Sequence, residues 1–234
     1  MDARELQRAY LDLTTPHVAD AIMRLGIPVR HAPAGMRPLW TRTHIAGPAR
    51  PARHAGSVDV FLEAIERARP GDVLVVDNGG RDEEACVGDL VTLEAHRAGL
   101  AGIVIWGLHR DSAELRGIRL PVFSQGHLPA GPQRVNAPEP DALTSARCGH
   151  ATVTSEDIVL GDDDGVLFFP AGRAADIART ATAIRDAERA QAARMRLGET
   201  FREQARFTDY LTARDRDGTT FRQHLRAIGG AIEE

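Results

Sequence analysis

Residues 72–111 read DVLVVDNGGRDEEACVGDLVTLEAHRAGLAGIVIWGLHRD. Val73 to Val76 form a β-branched apolar run ended by Asp77-Asn78-Gly79-Gly80, which predicts a buried strand running into a loop. Glu83 to Ala98 holds good helix formers and predicts a helix with Ala85, Leu90 and Leu93 on one side and Gly99 as its C-terminal stop. Ile103 to Trp106 is a second apolar run, and Gly107 opens a turn carrying His109, Arg110 and Asp111. Strand, helix and strand at this spacing make a βαβ unit, with parallel strands and a right-handed crossover expected. In open α/β sheets ligands sit beyond the carboxyl ends of the strands. Both polar clusters, Gly79 to Asp89 and His109 to Asp111, fall at that edge, so the chemistry is expected there.

The flanking sequence extends this unit. Thr14 or Thr15 caps a helix that has Pro16 in its first turn, Val18, Ala21, Ile22 and Leu25 as its apolar stripe, and Gly26 at its end. Residues 27–56 carry five prolines; Ile45 to Ala49 is strand-like, and the prolines assign it to edge positions and loops. Ser57 is expected to cap a helix through Ala68 with Val58, Phe61, Leu62 and Ile65 facing inward. Leu120 to Ser124 reads as a third strand, residues 126–140 as a surface loop, and residues 150–160 as strand or hairpin. Asp164-Gly165 before Val166 to Phe169 is a hairpin turn signal. The three aspartates at 162–164 do not make an EF-hand, because Leu167 and Arg173 stand where that loop needs glycine and its last carboxylate. From Gly172 to Gly198 the pattern is a long helix with Ile177, Ala181, Ile184 and Glu188 recurring on one side. Residues 199–234 lean helical around Phe201, Phe207, Tyr210, Phe221 and Leu225, too few apolar anchors to fold alone. The expected organisation is an α/β domain over residues 1–170 and a helical extension over 171–234, packed on the domain or on a neighbouring subunit.

Composition narrows the function classes. The chain has 234 residues and a formal net charge of −4, which argues against a nucleic-acid binder driven by phosphate neutralisation. No apolar run approaches the ~20 residues of a membrane span. Cys86 and Cys148 stand far apart, outside metal or redox spacing, and read as reduced thiols of a cytosolic protein. All 29 basic Lys-plus-Arg positions are arginine. Without lysine, Schiff-base chemistry, pyridoxal phosphate attachment and a P-loop are excluded. A carbon–carbon bond-making or bond-breaking reaction here needs a metal or the substrate itself as electron sink. No G-x-G-x-x-G dinucleotide motif follows from Gly79-Gly80.

The residue types of the central unit suit such a reaction. Arg110 offers a fixed fork of donors for a carboxylate or a developing enolate oxygen. Asp111 beside it prefers a hard cation such as Mg²⁺ that keeps several waters, and Asp89 is placed to hold or deprotonate a water. Backbone N–H groups at the start of the helix form an anion seat for a substrate carboxylate. Together they fit a metal-assisted reaction on a 2-oxo acid.

Gly88-Asp89-Leu90, twenty intervening positions and Arg110-Asp111 match the D-x20-R-D signature of the RraA-like family, which includes 4-hydroxy-4-methyl-2-oxoglutarate aldolases and the regulator of ribonuclease E activity. Further matches are Val18-Ala19-Asp20-Ala21, GMRPL at 35–39, IAGPA at 45–49, PGDVLVVD at 70–77, AGIVI at 101–105 and DDDGVLFFP at 162–170. The chain resembles this family over residues 14–198. The resemblance implies a β/β/α swivelling-type α/β domain assembled as a trimer or hexamer. It implies that Arg110 polarises the keto oxygen, that Asp111 binds Mg²⁺ or Mn²⁺, and that Asp89 positions a water for proton transfer. Gly88 and the backbone of Leu90 and Val91 align with the seat of the pyruvate carboxylate, and Glu188 is the metal-site glutamate expected from a neighbouring subunit. The sequence departs from the family at Trp106, where an aspartate is usual, and at His109, where a small aliphatic is usual. The implied activity is a metal-dependent aldolase or decarboxylase acting through a pyruvate enolate. The alternative is a non-catalytic regulator that binds a protein partner.

Overall fold

A computed structural model describes residues 1–229, so the last five positions of the expected extension, 230–234, lie outside the described residues. In chain order the elements are α1 (Ala3–Tyr10), α2 (Thr15–Arg24), β1 (Arg30–His31), β2 (Arg37–Pro38), β3 (Ile45–Arg53), α3 (Asp59–Glu66), β4 (Val73–Asp77), β5 (Ala85–Val87), α4 (Asp89–Arg97), β6 (Gly102–Trp106) and β7 (Leu108–His109). There follow α5 (Ser112–Ile118), β8 (Val122–Ser124), β9 (Ser145–Cys148), β10 (Ala151–Thr154), β11 (Asp157–Asp162), β12 (Gly165–Pro170), α6 (Ala174–Arg196), α7 (Phe201–Gln204), α8 (Phe207–Asp217) and α9 (Phe221–Ile228). Eight strands form one sheet in the order β1-β12-β11-β3-β4-β6-β8-β2. Its centre, β3-β4-β6-β8, is parallel, with Val73 to Asp77 facing Gly102 to Trp106 as the βαβ reading requires. A parallel sheet has to be covered on both faces, and here it is. Helices α3, α4 and α5 cover one face around Phe61, Leu74, Val76 and Ile105. The β9–β10 hairpin covers the other face, with Ala146, Cys148 and Val153 packed on Val73, Val75, Val104 and Phe123. Helices α1, α2 and α6 form a further core on β11 and β12 around Tyr10, Ile22, Leu160 and Phe169.

Three expectations change. The stretch from Glu83 is not one helix. Ala85–Val87 pair as a short strand with β7, and α4 starts only at Asp89, capped by the extended Gly88. On α4 the buried residues are Val91, Thr92 and Ala95, while Leu90 is 76% exposed and Leu93 is also exposed. Starting the helix two residues after the strand turns the leucines outward. On α3, Val60, Phe61, Ala64 and Ile65 face the core, and Val58 and Leu62 are exposed instead.

Strand β3 is central despite Pro48 and Pro51. Its first half pairs with β11 and its second half with β4, so each half has one unpaired side where a missing N–H costs no ladder bond. The β11–β12 hairpin closes where Asp162 pairs with Gly165, in line with the Asp-Gly signal. In the long helix α6, Ile177, Ala181 and Ile184 are buried as expected, but Glu188 is not inward; it is 51% exposed in its side chain and pairs with His17. Beyond it, α7, α8 and α9 gather the aromatic anchors. Phe207, Tyr210 and Phe221 meet edge to face with His224 beside them, and Leu225 is fully buried.

Candidate active site

Parallel pairing of β4 with β6 brings their carboxyl ends side by side, and the small β5–β7 pair continues that edge. Val87 accepts from the Arg110 N–H at 2.9 Å, which sets Gly88-Asp89 against Arg110-Asp111 across the β5–β7 pair. A Cβ added to Gly88 would lie 2.3 Å from Asp111 Oδ2 and 3.2 Å from Arg110 Nε. Gly88 has an extended φ of −128°, so what glycine provides there is space for the Asp111 carboxylate rather than backbone freedom.

Asp111 adopts a left-handed backbone (φ 59°, ψ 41°) as the residue preceding α5. A non-glycine residue held there costs on the order of 1 kcal/mol, and such strain clusters at functional sites. Its Oδ2 accepts from the Asp89 N–H at 3.3 Å and lies 3.5 Å from Arg110 Nε. Arg110 is half-exposed, its Nη1 flank packed near the backbone of Gly131. Among the described residues neither of its terminal amino groups has a hydrogen-bond partner, so the fork is open to a ligand.

At the start of α4, Leu90 N–H donates to Asp89 Oδ1 at 2.8 Å, and Thr92 bonds Gly88 O through both its N–H and its hydroxyl. The Val91 N–H has no partner among the described residues. A cleft of about 420 Å³ opens beside this group, lined by Gly88, Asp89, Leu90, Val91 and Arg110 on one side and by His54, Val58 and Pro132 on the other. The structure thus brings together Gly88, Asp89, Leu90, Val91, Arg110 and Asp111. It does not bring Glu188 to them within one chain, since Glu188 sits on α6 with His17 Nε2 3.3 Å away.

Two departures from the family pattern find structural places. The Trp106 indole packs on Gly80 and beneath the Arg147 guanidinium, 5.2 Å from its centroid. The His109 ring is buried, its Nδ1 2.8 Å from Ser124 Oγ and its Nε2 3.0 Å from Ser112 Oγ, so it ties β8 to the start of α5. Burial depresses its pKa to about 4, with His127 adding to the effect.

A second polar group went unseen in the sequence. Glu84, immediately before β5, is buried and held by Arg134, whose Nη2 lies 2.7 Å from its Oε1. The same Nη2 donates to Asn78 Oδ1 at 2.9 Å, and His54 Nδ1 lies 2.8 Å from that oxygen. These four residues stand up to 80 positions apart. The one signal available was Asn78 at the end of a buried strand.

The residues present fit a hard, water-rich cation. Asp111 and Asp89 supply carboxylate oxygens, and the missing Cβ of Gly88 leaves room beside Asp111. Mg²⁺ is commonly held by one or two carboxylates with retained waters. Among the described residues there is no group of three or more His, Cys, Asp or Glu side chains that would make a closed site.

Fold and site together define an α/β protein with an arginine–carboxylate centre at the strand ends. The RraA-like family model, described as Aldolase/RraA, matches residues 15–168, and the chain belongs to this family. It is 31% identical over 147 residues to a putative 4-hydroxy-4-methyl-2-oxoglutarate aldolase of Halalkalibacterium halodurans, covering 62% of this chain and 69% of that protein. It is 29% identical to protein DlpA of Legionella pneumophila over 86% of this chain, which spans only 33% of that longer protein. Among solved structures it is similar to Streptomyces coelicolor RraAS2, described as an unusual member of the RNase ES inhibitor RraA protein family. There the identity is 28% and the TM-score 0.69, covering 82% of this chain and 96% of that one.

Proposed function

We propose that this protein is a divalent-metal-dependent carbon–carbon lyase that cleaves a 4-hydroxy-2-oxo acid, or decarboxylates an oxaloacetate-like acid, through a pyruvate enolate. The observation that carries this reading is the juxtaposition of Gly88-Asp89 with Arg110-Asp111 around an open guanidinium fork. The similarity to a putative aldolase supports it. Arg110 binds the keto oxygen and holds the negative charge that develops there as the C3–C4 bond breaks. The unclaimed Val91 N–H and the start of α4 receive the substrate carboxylate, with Leu90 at the same turn. Asp89 orients the water that exchanges a proton with C3. Asp111, joined by Glu188 from a second subunit, holds Mg²⁺ or Mn²⁺, which when bound supplies further positive charge beside the oxygens of the 2-oxo acid.

The assembly proposed is a homotrimer or hexamer, working in the cytoplasm with no nucleic-acid or membrane partner. The proposed boundary lies near residue 170, with the N-terminal half of α6 packed into the core beside α2. The test is pyruvate release from oxaloacetate and from 4-hydroxy-4-methyl-2-oxoglutarate, with Mn²⁺ and then with EDTA. Metal-dependent release is expected; silence on both, across a panel of related acids, removes the reading.

A second reading, a regulator that binds a protein partner, is favoured by one feature. Val58, Leu62, Leu90 and Leu93 expose apolar surface beside the cleft, the kind of patch that marks a protein contact. A partner captured equally by the Arg110→Ala variant, in a protein without lyase activity, would support it.

A further inference from the structure

His54 lines the cleft that holds Arg110, and its side chain has one polar atom with nothing to bond. The ring is 7% exposed and stacks on Phe61 at 5.0 Å. Its Nδ1 lies 2.8 Å from Asn78 Oδ1, an oxygen that also receives Arg134 Nη2 at 2.9 Å. A carbonyl oxygen only accepts, so Nδ1 carries the proton and donates. Burial lowers the pKa of His54, the largest influence on it, so the ring is neutral near pH 7. The neutral ring with Nδ1–H leaves Nε2 as a bare lone pair. That Nε2 is buried and has no hydrogen-bond partner in the protein. Leaving such an atom unpaired costs roughly 1–3 kcal/mol, and an unpaired acceptor on a residue that lines the cleft is complementary to a ligand that donates.

A 4-hydroxy-2-oxo acid has one donor at neutral pH. Its keto and carboxylate oxygens accept, and its 4-hydroxyl alone gives a proton. We infer, on the proposed lyase reading, that His54 Nε2 receives the hydrogen bond of the substrate's 4-hydroxyl and takes its proton as the carbon–carbon bond breaks. The O–H proton passes to Nε2, and the oxygen electron pair closes the new carbonyl at C4. The C3–C4 bond breaks, and its pair moves to C3 in conjugation with the C2 keto group, giving the pyruvate enolate opposite Arg110. Water protonates C3, and the resulting hydroxide is neutralised by the proton on His54, so no proton is gained or lost overall. Asn78, held in turn by Arg134, keeps the tautomer that makes Nε2 the acceptor, which is a positioning role. Oxaloacetate has no hydroxyl at C4 and loses CO₂ without such a base, so the two substrates separate His54 from the enolate machinery.

The experiment compares the full-length wild type with His54→Asn and His54→Gln, assayed with Mn²⁺ on both substrates after thermal melts confirm folding. Asparagine can still donate to Asn78 but removes Nε2. It should lower kcat for hydroxy-acid cleavage by about 10²-fold or more while changing oxaloacetate decarboxylation by about threefold at most. Glutamine replaces the acceptor without its basicity, and should recover KM for the hydroxy acid but not kcat. Equal losses on both substrates would reduce His54 to a structural residue, and no loss on either would leave Nε2 without a role; each overturns the inference. A wild type that decarboxylates oxaloacetate but cleaves no hydroxy acid overturns the assignment of His54 and leaves the proposed enolate chemistry standing. A wild type silent on both overturns the two together.

Discussion

Arg110 and Gly88 make opposite demands on the same few cubic ångströms. If Arg110 holds the keto oxygen as proposed, it presents two nitrogens in one plane, which a lysine ammonium cannot reproduce. Arg110→Lys is therefore expected to lower kcat/KM for pyruvate release by about 10²-fold or more, the scale seen when one preorganised donor to a developing oxyanion is removed. A loss under tenfold would show that charge alone suffices. Gly88 must be absent as a side chain. Gly88→Ala places a Cβ 2.3 Å from Asp111 Oδ2, and that carboxylate has to move. The expected result is a weakened Mn²⁺ affinity, by about tenfold on the second-shell scale, read by titration of the folded protein; an unchanged affinity would separate Asp111 from the metal. The three charged residues of this site were legible in the sequence because one βαβ crossover separates them, and parallel pairing returns the chain to the same edge. The His54–Asn78–Glu84–Arg134 group was not legible. Its members come from a strand end, a second strand end, a loop and a distant surface segment, and only tertiary structure joins them.

Among the elements, β5 and the loop carrying Arg134 depend on each other. Glu84 stands just before β5, and burial by itself pushes its carboxyl upward. The hydrogen bonds and charge of Arg134 outweigh this and hold it below its ordinary 4.5. The folded carboxyl is thus the stronger acid, so the stability it contributes is full above the unfolded value and is lost as pH falls through the folded one. Arg134→Ala leaves a buried carboxylate with only the longer Arg81 pairing, at 3.9 Å, and should cost about 3 kcal/mol in urea unfolding at pH 7. The variant should also lose less of its remaining stability than the wild type as pH drops from 5 toward 3. A wild-type acid slope retained in full by Arg134→Ala would show that the pair does not carry it.

The helix formers from Glu83 to Ala98 predict one helix, yet Ala85–Val87 form a short strand in which Ala85 and Val87 pair with β7, and tertiary pairing overrides a weak propensity. Moving the helix start to Asp89 rotated Leu90 and Leu93 from the expected core face to the surface. In β3 the prolines point to edge positions and loops, whereas the strand lies inside the sheet between β11 and β4. What they did not reveal is that a strand changing neighbours halfway along can be central and still have an unpaired side in each half.

At the scale of the whole molecule, the exposed strip of Val58, Leu62, Leu90 and Leu93 and the distance of Glu188 from the cleft lead to one expectation. If α3 and α4 meet a second copy, the apolar strip is covered and a neighbour's Glu188 has a route to Asp111. Val58→Asp combined with Leu62→Glu should then yield a smaller species by light scattering. Its lyase activity should fall in parallel. Subunit mixing decides whether the glutamate crosses between chains. Arg110→Lys and Glu188→Ala subunits are each expected to be inactive alone, because each spoils every site of its own assembly. When the two are unfolded together and refolded at equal amounts, a site is whole wherever a Glu188→Ala subunit supplies Arg110 and its neighbour supplies Glu188. Random assembly of a cyclic oligomer gives that arrangement at about one site in four. Recovery of about a quarter of the wild-type activity would therefore place Glu188 in its neighbour's site. Recovery of none, with both variants still assembling to wild-type size, would confine Glu188 to its pairing with His17 and require the metal site to be completed from other residues.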